Sequence, residues 1–342
     1  MKAFSMHQQG GVEHLRYEER ALPEIKSPDD VIIKLKAVGL NDSDIGLRRG
    51  PAGEPLPLPQ ILDADGAGIV AAVGSAVKKL NPGDAVCLYP CLGCGQCEYC
   101  AGDQEFMCGH VSGVGTGSEF IRVPARNCFS VPAEFSFEQA AAFPTAFLTA
   151  WRILVTIAEL KPGQWLLIVD IGSGVTTAAL QLAKNLGTRT IVTSNSDEKL
   201  AKAKELGAEH AVNCYNTDFA KEVRRLTAKR GVDVVVDCVG GDGWVKSLAS
   251  LAKGGRLVTS GAAAGATPPT DLRRIFWNDL KLFGSTLGSR EEFRQLLSFL
   301  EVTRTEPIID RIVPIEEAAL AQQRLEENKQ FGKIVLTMES RG

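Results

Sequence analysis

The apolar positions of this 342-residue chain change their period near residue 136. Before that point they come in short, partly alternating runs bounded by turn residues. Val31-Ile32-Ile33-Lys34-Leu35-Lys36-Ala37-Val38 is one; the small-residue run Gly66 to Gly74 is another; Ala85-Val86-Cys87-Leu88 follows the turn Asn81-Pro82-Gly83-Asp84. Such runs predict strands. Pro51 to Pro59 holds four prolines and predicts a loop, and the stretch Gly113 to Gly117 reads as irregular.

Beyond residue 136 strands and helices alternate. Ser136-Phe137-Glu138-Gln139 has the form of a capping box and opens a helix that Pro144 interrupts, with a second helix expected over Ala146 to Ala158. Trp165 to Val169, Thr190 to Thr193, His210 to Asn213, Val232 to Asp237 and Gly255 to Thr259 read as strands. Val175 to Leu186 and Asp197 to Leu206 read as helices between them. Strand–helix alternation at this spacing predicts right-handed βαβ units around a parallel sheet covered on both faces. A helix from Glu291 to Leu300 follows. The extended end Gly332 to Thr337 is expected to return to the first domain. The length calls for two domains, placed at 1–145 with 288–342 and at 146–287.

Composition narrows the function classes. The chain is 44% hydrophobic and 23% charged, with a formal net charge of −3. No basic patch suited to a phosphate backbone stands out, so nucleic acid is not an expected partner. No apolar run reaches membrane-spanning length and no signal peptide is evident, so a cytoplasmic, membrane-free protein with a small-molecule substrate is expected.

Cys94, Cys97, Cys100 and Cys108 form the pattern C-x2-C-x2-C-x7-C. Four thiolates this close suit one tetrahedral zinc ion, and a closed all-sulfur site is structural rather than catalytic. Cys91 could compete as a ligand. Cys87, Cys128, Cys214 and Cys238 read as buried small hydrophobes.

The segment Ile171-Gly172-Ser173-Gly174-Val175-Thr176 joins a predicted strand to a predicted helix. Glycines there let backbone N–H groups approach a pyrophosphate at the positive end of the helix. The third glycine of the dinucleotide fingerprint is absent, with Thr176 near its place. About twenty residues on, where a carboxylate would select the non-phosphorylated cofactor, Thr193-Ser194-Asn195-Ser196 stands, with Lys199 nearby. Hydroxyls, an amide and a lysine favour NADPH, with NADH possible. Asp197 reads as a helix cap.

Across nearly its whole length the chain resembles the medium-chain dehydrogenase/reductase superfamily of zinc alcohol dehydrogenases and NADPH quinone reductases. The cysteine lobe, Lys199 to Gly207, Gly231 to Asp237 and Gly254 to Val258 carry the likeness. The resemblance implies an α/β protein in which a GroES-like, β-rich catalytic domain built from both chain ends joins a Rossmann domain with a doubly wound parallel sheet. It also implies a homodimer or homotetramer. The three positions where the family carries catalytic zinc ligands hold Asn41, Ala64 and Thr145, which are poor ligands or none. Asp63 and Asp65 flank Ala64. Either they hold an unusual metal, or Asp65 bonds the neighbouring backbone and Asp63 is solvated, which is the expectation.

Oxidising a simple alcohol benefits from a Lewis acid on the alkoxide. Hydride addition to a quinone or enone spreads charge over an oxygen that neutral donors can hold. The zinc-free reductases of the superfamily have a similar asparagine at the place of Asn41. The resemblance therefore implies an NADPH-dependent reductase of quinones, enones or related carbonyls, with an alcohol dehydrogenase or a non-catalytic NADPH-binding protein as alternatives. Asn41 is expected to donate to the substrate oxygen or nicotinamide ribose, or to be a plain turn residue. Ser43 stands at the proton-relay position, or caps a helix before Ile45. Thr149 is expected beside the nicotinamide, or in a local helix bond. Ser260 and Gly261 are expected at the cofactor edge of the sheet. Lys333 is expected at a cofactor phosphate, or solvated at its strand end. The substrate walls are expected from Asp44 to Pro59 and Trp277 to Arg290.

Overall fold

A computed structural model of the chain describes residues 1–50 and 58–338. Most of the proline-rich stretch expected as a loop, residues 51–57, lies outside them. The chain forms two compact units, Met1–Ala146 with Ser289–Gly342, and Phe147–Gly288.

The first unit is built on a seven-stranded sheet. Along its main path the strands run Cys128–Ser130, Ala85–Leu88, Asp65–Val73, Asp30–Gly39, Lys333–Thr337 and Ile309–Pro314, with Phe120–Pro124 also pairing to Asp30–Gly39. In Asp30–Gly39 the alternation is visible: Val31, Ile33 and Leu35 are buried and Lys34 is exposed. From Ala37 onward both faces are covered, because the helix Phe137–Ala142 packs against this end. Gly39 permits that approach, since a Cβ there would lie 2.2 Å from the Ala141 carbonyl oxygen. The helix begins as its sequence predicts, with Ser136 and Gln139 exchanging side chain-to-backbone bonds. Lys333–Thr337 returns from the far end of the chain to pair antiparallel with Asp30–Gly39, Val335 opposite Gly39. Phe293 of the helix Arg290–Thr303 sits within 6 Å of Tyr89, Phe129 and Phe143, edge-on to the first two and stacked on the third. Ring pairs of this kind each add about 0.5–1.5 kcal/mol beyond their burial.

The second unit holds six parallel strands. In chain order they are Trp165–Ile168, Arg189–Ser194, His210–Asn213, Val232–Val236, Leu251–Thr259 and Lys281–Gly284. Their spatial order is third, second, first, fourth, fifth, sixth. This is the doubly wound arrangement whose strand order reverses between the first and fourth strands. Leu166, Leu167, Ile168, Val234, Val235 and Val236 are all fully buried. Coverage on both faces explains why these strands read as unbroken apolar runs.

The helix opened by Ser136 ends at Ala142, and Pro144 separates it from a second, as expected: Pro144 opens Pro144–Trp151, where its missing N–H is not needed, and a π-helical turn, Arg152–Ile157, continues the segment expected as one helix. Cys87 is buried as expected, whereas Cys128, Cys214 and Cys238 are half-buried. Five helices were not anticipated, Glu98–Ala101, Phe219–Leu226, Trp244–Ser250, Leu272–Trp277 and Ala318–Glu326, and Asp42–Arg49 was anticipated only as the helix that Ser43 would cap. Part of the expected substrate-wall loop is therefore helical.

Candidate active site and metal centre

In the first unit, Asn41 lies just beyond Gly39 and caps the helix Asp42–Arg49. Its backbone N–H donates to Asp44 Oδ2 at 2.7 Å, and its carbonyl accepts from the Asp44 N–H. Its amide reaches across to Asp65, at the start of the next strand, with Nδ2 donating to Asp65 Oδ2 at 3.0 Å. The Lys333 ammonium donates to Asn41 Oδ1 at 2.5 Å and to Asp65 Oδ2 at 2.9 Å. The other oxygen of Asp65 accepts from the Thr145 N–H at 2.9 Å and hydroxyl at 2.6 Å. Asp65 is fully buried and Lys333 is 4% exposed. A buried carboxylate is tolerable only when paired and hydrogen-bonded, and Asp65 receives four donors.

Asn41 and Thr145, two of the three residues expected at the places of catalytic zinc ligands, are thus gathered on one carboxylate, with an ammonium beside them. The residues do not fit a zinc ion: an amide, a hydroxyl and an alanine replace soft or imidazole ligands, and the nearby lysine brings a positive charge.

Several expectations change here. Lys333 is neither solvated nor free to reach a cofactor phosphate, because its ammonium is consumed by Asp65 and Asn41. Asp65 bonds Lys333, Asn41 and the distant Thr145 rather than the adjacent backbone. Asp63 is 3% exposed, not solvated. Ser43 does not cap the helix, since Asn41 does; Ser43 is exposed on the first turn.

Asp63 takes a left-handed backbone (φ 70°), and its carbonyl accepts from Gly115 and Thr116. Among the described residues no N–H reaches its carboxyl oxygens. Its carboxyl faces that of Asp44, which is also buried. Burial first, and then repulsion from Asp63, raises the Asp44 pKa well above the usual carboxylate range; burial likewise raises that of Asp63. Burial thus disfavours the charged form of both carboxyls. Sequence reasoning missed this pair: Asp44 entered only as the start of an expected substrate wall.

The cysteine lobe is in the same unit. The sulfur atoms of Cys94, Cys97, Cys100 and Cys108 lie within 4.8 Å of one another, a set that could hold one metal ion. Cys108 Sγ accepts N–H bonds from Cys94 and His110 at 3.4 and 3.3 Å. Backbone N–H groups of Gln96 and Cys97 lower the Cys94 thiol to about 6, favouring the thiolate that a metal needs. Cys91 is outside the set, and burial pushes its thiol up to about 11. Asn127 braces the approach by donating to the Tyr89 and Cys91 carbonyls. Arg290 pairs with Asp103 and Glu105.

The second unit positions the cofactor candidates. Ser173 caps the helix Gly174–Asn185, accepting from the Thr176 N–H. Thr176, in place of a third glycine, is buried, and its hydroxyl accepts from the Gly172 N–H at 3.1 Å, tying the turn from within. Gly174 and Val175 are half-buried at the helix start. Lys199 lies over Gly172: a Cβ on that glycine (φ 138°) would meet Lys199 Cδ at 2.8 Å and Nζ at 2.9 Å. Turn and lysine are therefore brought together, although 27 positions separate them. Ser194 is buried at its strand end, its hydroxyl accepting from Ser196, and Asn195 is exposed. Ser196, not Asp197, caps the next helix; Asp197 instead accepts from Asn213. Ser260 and Gly261 follow the fifth strand, half-buried and exposed. Sequence reasoning also missed Asp237, fully buried at the end of the fourth strand. It accepts from the Val239 and Gly240 N–H groups and the Ser247 hydroxyl, shaping the loop at the point where strand order reverses. Thr149 is buried in Pro144–Trp151.

Among the described residues no helix is long and apolar enough to cross a membrane. Residues 27–133 match the alcohol dehydrogenase GroES-like domain, and residues 174–302 match the zinc-binding dehydrogenase family. A zinc-type alcohol dehydrogenase-like protein of Schizosaccharomyces pombe is 32% identical, over 96% of this chain and 96% of its own length. The human synaptic vesicle membrane protein VAT-1 homolog is 28% identical over 96% of this chain and 84% of its own. A crystal structure of an NAD-dependent alcohol dehydrogenase superposes with a TM-score of 0.94 at 38% identity, over 99% of this chain and all of the other. With a GroES-like unit, a reversing six-stranded parallel sheet and relatives that span its whole length, the chain belongs to the zinc-type alcohol dehydrogenase-like branch of the medium-chain dehydrogenase/reductase superfamily, a family of NAD(P)-dependent oxidoreductases.

Proposed function

We propose that the protein moves hydride from NADPH to a quinone, enone or similarly activated carbonyl without a catalytic zinc. The observation that carries this reading is the cluster of Asn41, Asp65, Thr145 and Lys333, where amide, hydroxyl and ammonium groups occupy the region of the expected metal ligands. NADPH, when bound, would supply the hydride that forms the new C–H bond on the substrate. The electron pair displaced in the substrate settles on its oxygen, and a proton completes the product. Hydrogen-bond donors suffice for an enolate or hydroquinone oxygen, whereas a simple alkoxide asks for more. Ser43 passes the proton from its exposed position and Thr149 packs beside the nicotinamide, while Asn41, its amide engaged by Asp65, Gly39 and Lys333, braces the cluster rather than donating to the substrate.

Gly172, Ser173, Gly174 and Val175 receive the pyrophosphate at the helix start. Ser194, Asn195 and Lys199 favour a 2′-phosphate, with Ser260 and Gly261 at the cofactor edge. One structural zinc sits in the Cys94, Cys97, Cys100 and Cys108 set. The active form is a homodimer or homotetramer.

The names of the relatives favour a second reading, an alcohol–aldehyde pair, and one of them is NAD-dependent. Purified protein with NADPH or NADH is assayed against 1,4-benzoquinone, an alkenal and a cyclic enone, and with NADP or NAD against a primary alcohol. Turnover of the conjugated substrates with NADPH supports the proposal. Turnover confined to the alcohol refutes it, and cofactor binding without any turnover identifies a binding protein.

A further inference from the structure

We infer that the second unit carries a binding site for a small soluble anion with two or more phosphate groups, in the cationic cleft walled by Arg224, Lys229, Arg230 and Lys253. The site lies apart from the cofactor candidates and does not depend on the reaction proposed above.

The cleft measures about 380 Å³, within the range of small-molecule sites, and Ala252 and Asn278 complete its lining. It lies where the fourth, fifth and sixth strands begin. Arg230 precedes Val232–Val236, Lys253 is near the start of Leu251–Thr259, and Asn278 precedes Lys281–Gly284. The glycine turn, Ser194 and Ser260 stand instead at the carboxyl ends of their strands, roughly 15 Å away by the length of a five-residue strand.

One arginine fixes the walls. Arg224, in the last turn of Phe219–Leu226, donates to the carbonyls of Lys229, Arg230, Ala249 and Leu251 at 2.8–3.1 Å. These bonds hold the turn in which Ala228 and Lys229 take left-handed backbones (φ 49° and 68°). Of the four cations, Arg230 has a carboxylate partner, Asp233; Arg224, Lys229 and Lys253 have none among the described residues. Burial, and then the charge of Arg274, lowers the Arg224 pKa, so positive charge is crowded here. The chain as a whole is negative, at −3. A cleft lined by one sign of charge focuses its field and concentrates counter-ions. Arg224 spends its N–H groups on carbonyls and contributes charge. The ammonium groups of Lys229 and Lys253 remain as donors for phosphate oxygens. A single phosphate would leave much of this charge unmatched, whereas a linked pair can meet both lysines.

The test uses inorganic pyrophosphate as probe, titrated by calorimetry into whole protein saturated with NADPH, or with NADH if that binds more tightly. Nicotinamide fluorescence reports that the cofactor stays bound. Wild type is compared with Lys229→Asn/Lys253→Gln, in which asparagine suits the left-handed backbone. Lys253→Glu alone leaves that turn untouched should the double variant fail to fold, as checked by circular dichroism. Lys78→Gln/Lys79→Gln removes the same charge from the first unit. One pyrophosphate per chain is expected, with affinity at least tenfold lower in the cleft variants and within twofold of wild type in the first-unit variant. Folded cleft variants that bind as tightly as wild type overturn the inference. So does a wild type that gives no heat at millimolar pyrophosphate, or that releases its cofactor as pyrophosphate binds. Inorganic phosphate bound as tightly as pyrophosphate overturns the class of ligand. Wild type that sediments with vesicles containing phosphatidylinositol 4,5-bisphosphate but ignores pyrophosphate overturns its soluble source. None of these results bears on hydride transfer, which the turnover assays read separately.

Discussion

Replacing Lys333 by methionine removes the ammonium bonded to Asp65 and leaves the carboxylate buried. At a separation of 2.9 Å the gross attraction is about 6 kcal/mol for an effective dielectric of about 20. Most of that is offset in the native protein by dehydrating the ammonium, so the pair's net worth is small, but breaking it strands a charge. Removing one partner of a buried pair typically costs 3–5 kcal/mol. Asp65 retains three donors, from Asn41 and from the backbone and hydroxyl of Thr145, which places the expected loss at the lower end, about 3 kcal/mol. All four tryptophans (Trp151, Trp165, Trp244 and Trp277) fall in the second unit, so indole fluorescence would follow the wrong part of the molecule. Hydrogen exchange in the strands Asp30–Gly39 and Lys333–Thr337 reads the right one. Protection there should fall by roughly a hundredfold, as 1.4 kcal/mol corresponds to a factor of ten. Lys333→Met/Asp65→Asn should lose less than Lys333→Met alone. A loss below about 1 kcal/mol, or a double variant whose loss is the plain sum of the singles, would refute the reasoning.

Two further outcomes are expected. Asp63 has its pKa raised from 3.8 to about 7, so the folded chain holds a proton that the unfolded chain has released across that window. Stability then declines as pH rises from about 4 to about 7, by at most about 4 kcal/mol at 1.36 kcal/mol per unit. Asp63→Asn should make that slope shallower, leaving the part due to buried Asp44, and be more stable than wild type at pH 8 but not at pH 4, as followed by urea midpoints; parallel pH profiles would contradict the raised pKa of Asp63. Gly172→Ala places a Cβ against Lys199 at a φ of 138°, a conformation that costs about 1–3 kcal/mol for a residue with a side chain. NADPH affinity measured by calorimetry should drop about tenfold or more, and an unchanged Kd would remove this turn from the cofactor site.

The second unit was legible because its signals are local. Unbroken runs such as Val234-Val235-Val236, each followed within a few residues by helix-forming sequence, declare a parallel sheet without reference to anything distant. Ser136 and Gln139 announce a helix start three residues apart, and four cysteines within fifteen residues announce a ligand set. The ion pair of Lys333 with Asp65 had no such signal, because 268 positions separate its partners. In isolation Lys333 reads as a phosphate partner or a solvated strand-end charge, and Asp65 as a partner of the neighbouring backbone. Asp63 was misread for a related reason. Its left-handed backbone turns the side chain inward, and nothing in the tripeptide Asp63-Ala64-Asp65 marks that reversal. The helix Asp42–Arg49 entered only as an alternative, with Ser43 as its cap, because it is short and mostly polar and lacks a long apolar stripe, although Asn41 is a favoured cap.

Because Lys333–Thr337 lies beside Asp30–Gly39, synthesis imposes an order of events. A ribosome adding 5–20 residues per second needs roughly 15 to 60 s to travel from the early strand to the late one. The continuous segment Phe147–Gly288 emerges meanwhile and can fold first. Until Lys333 arrives, Asp65 has no counter-ion and the growing sheet has an open edge where its last strands belong. Nascent chains stalled before residue 333 should therefore be the species that chaperones hold and proteases find.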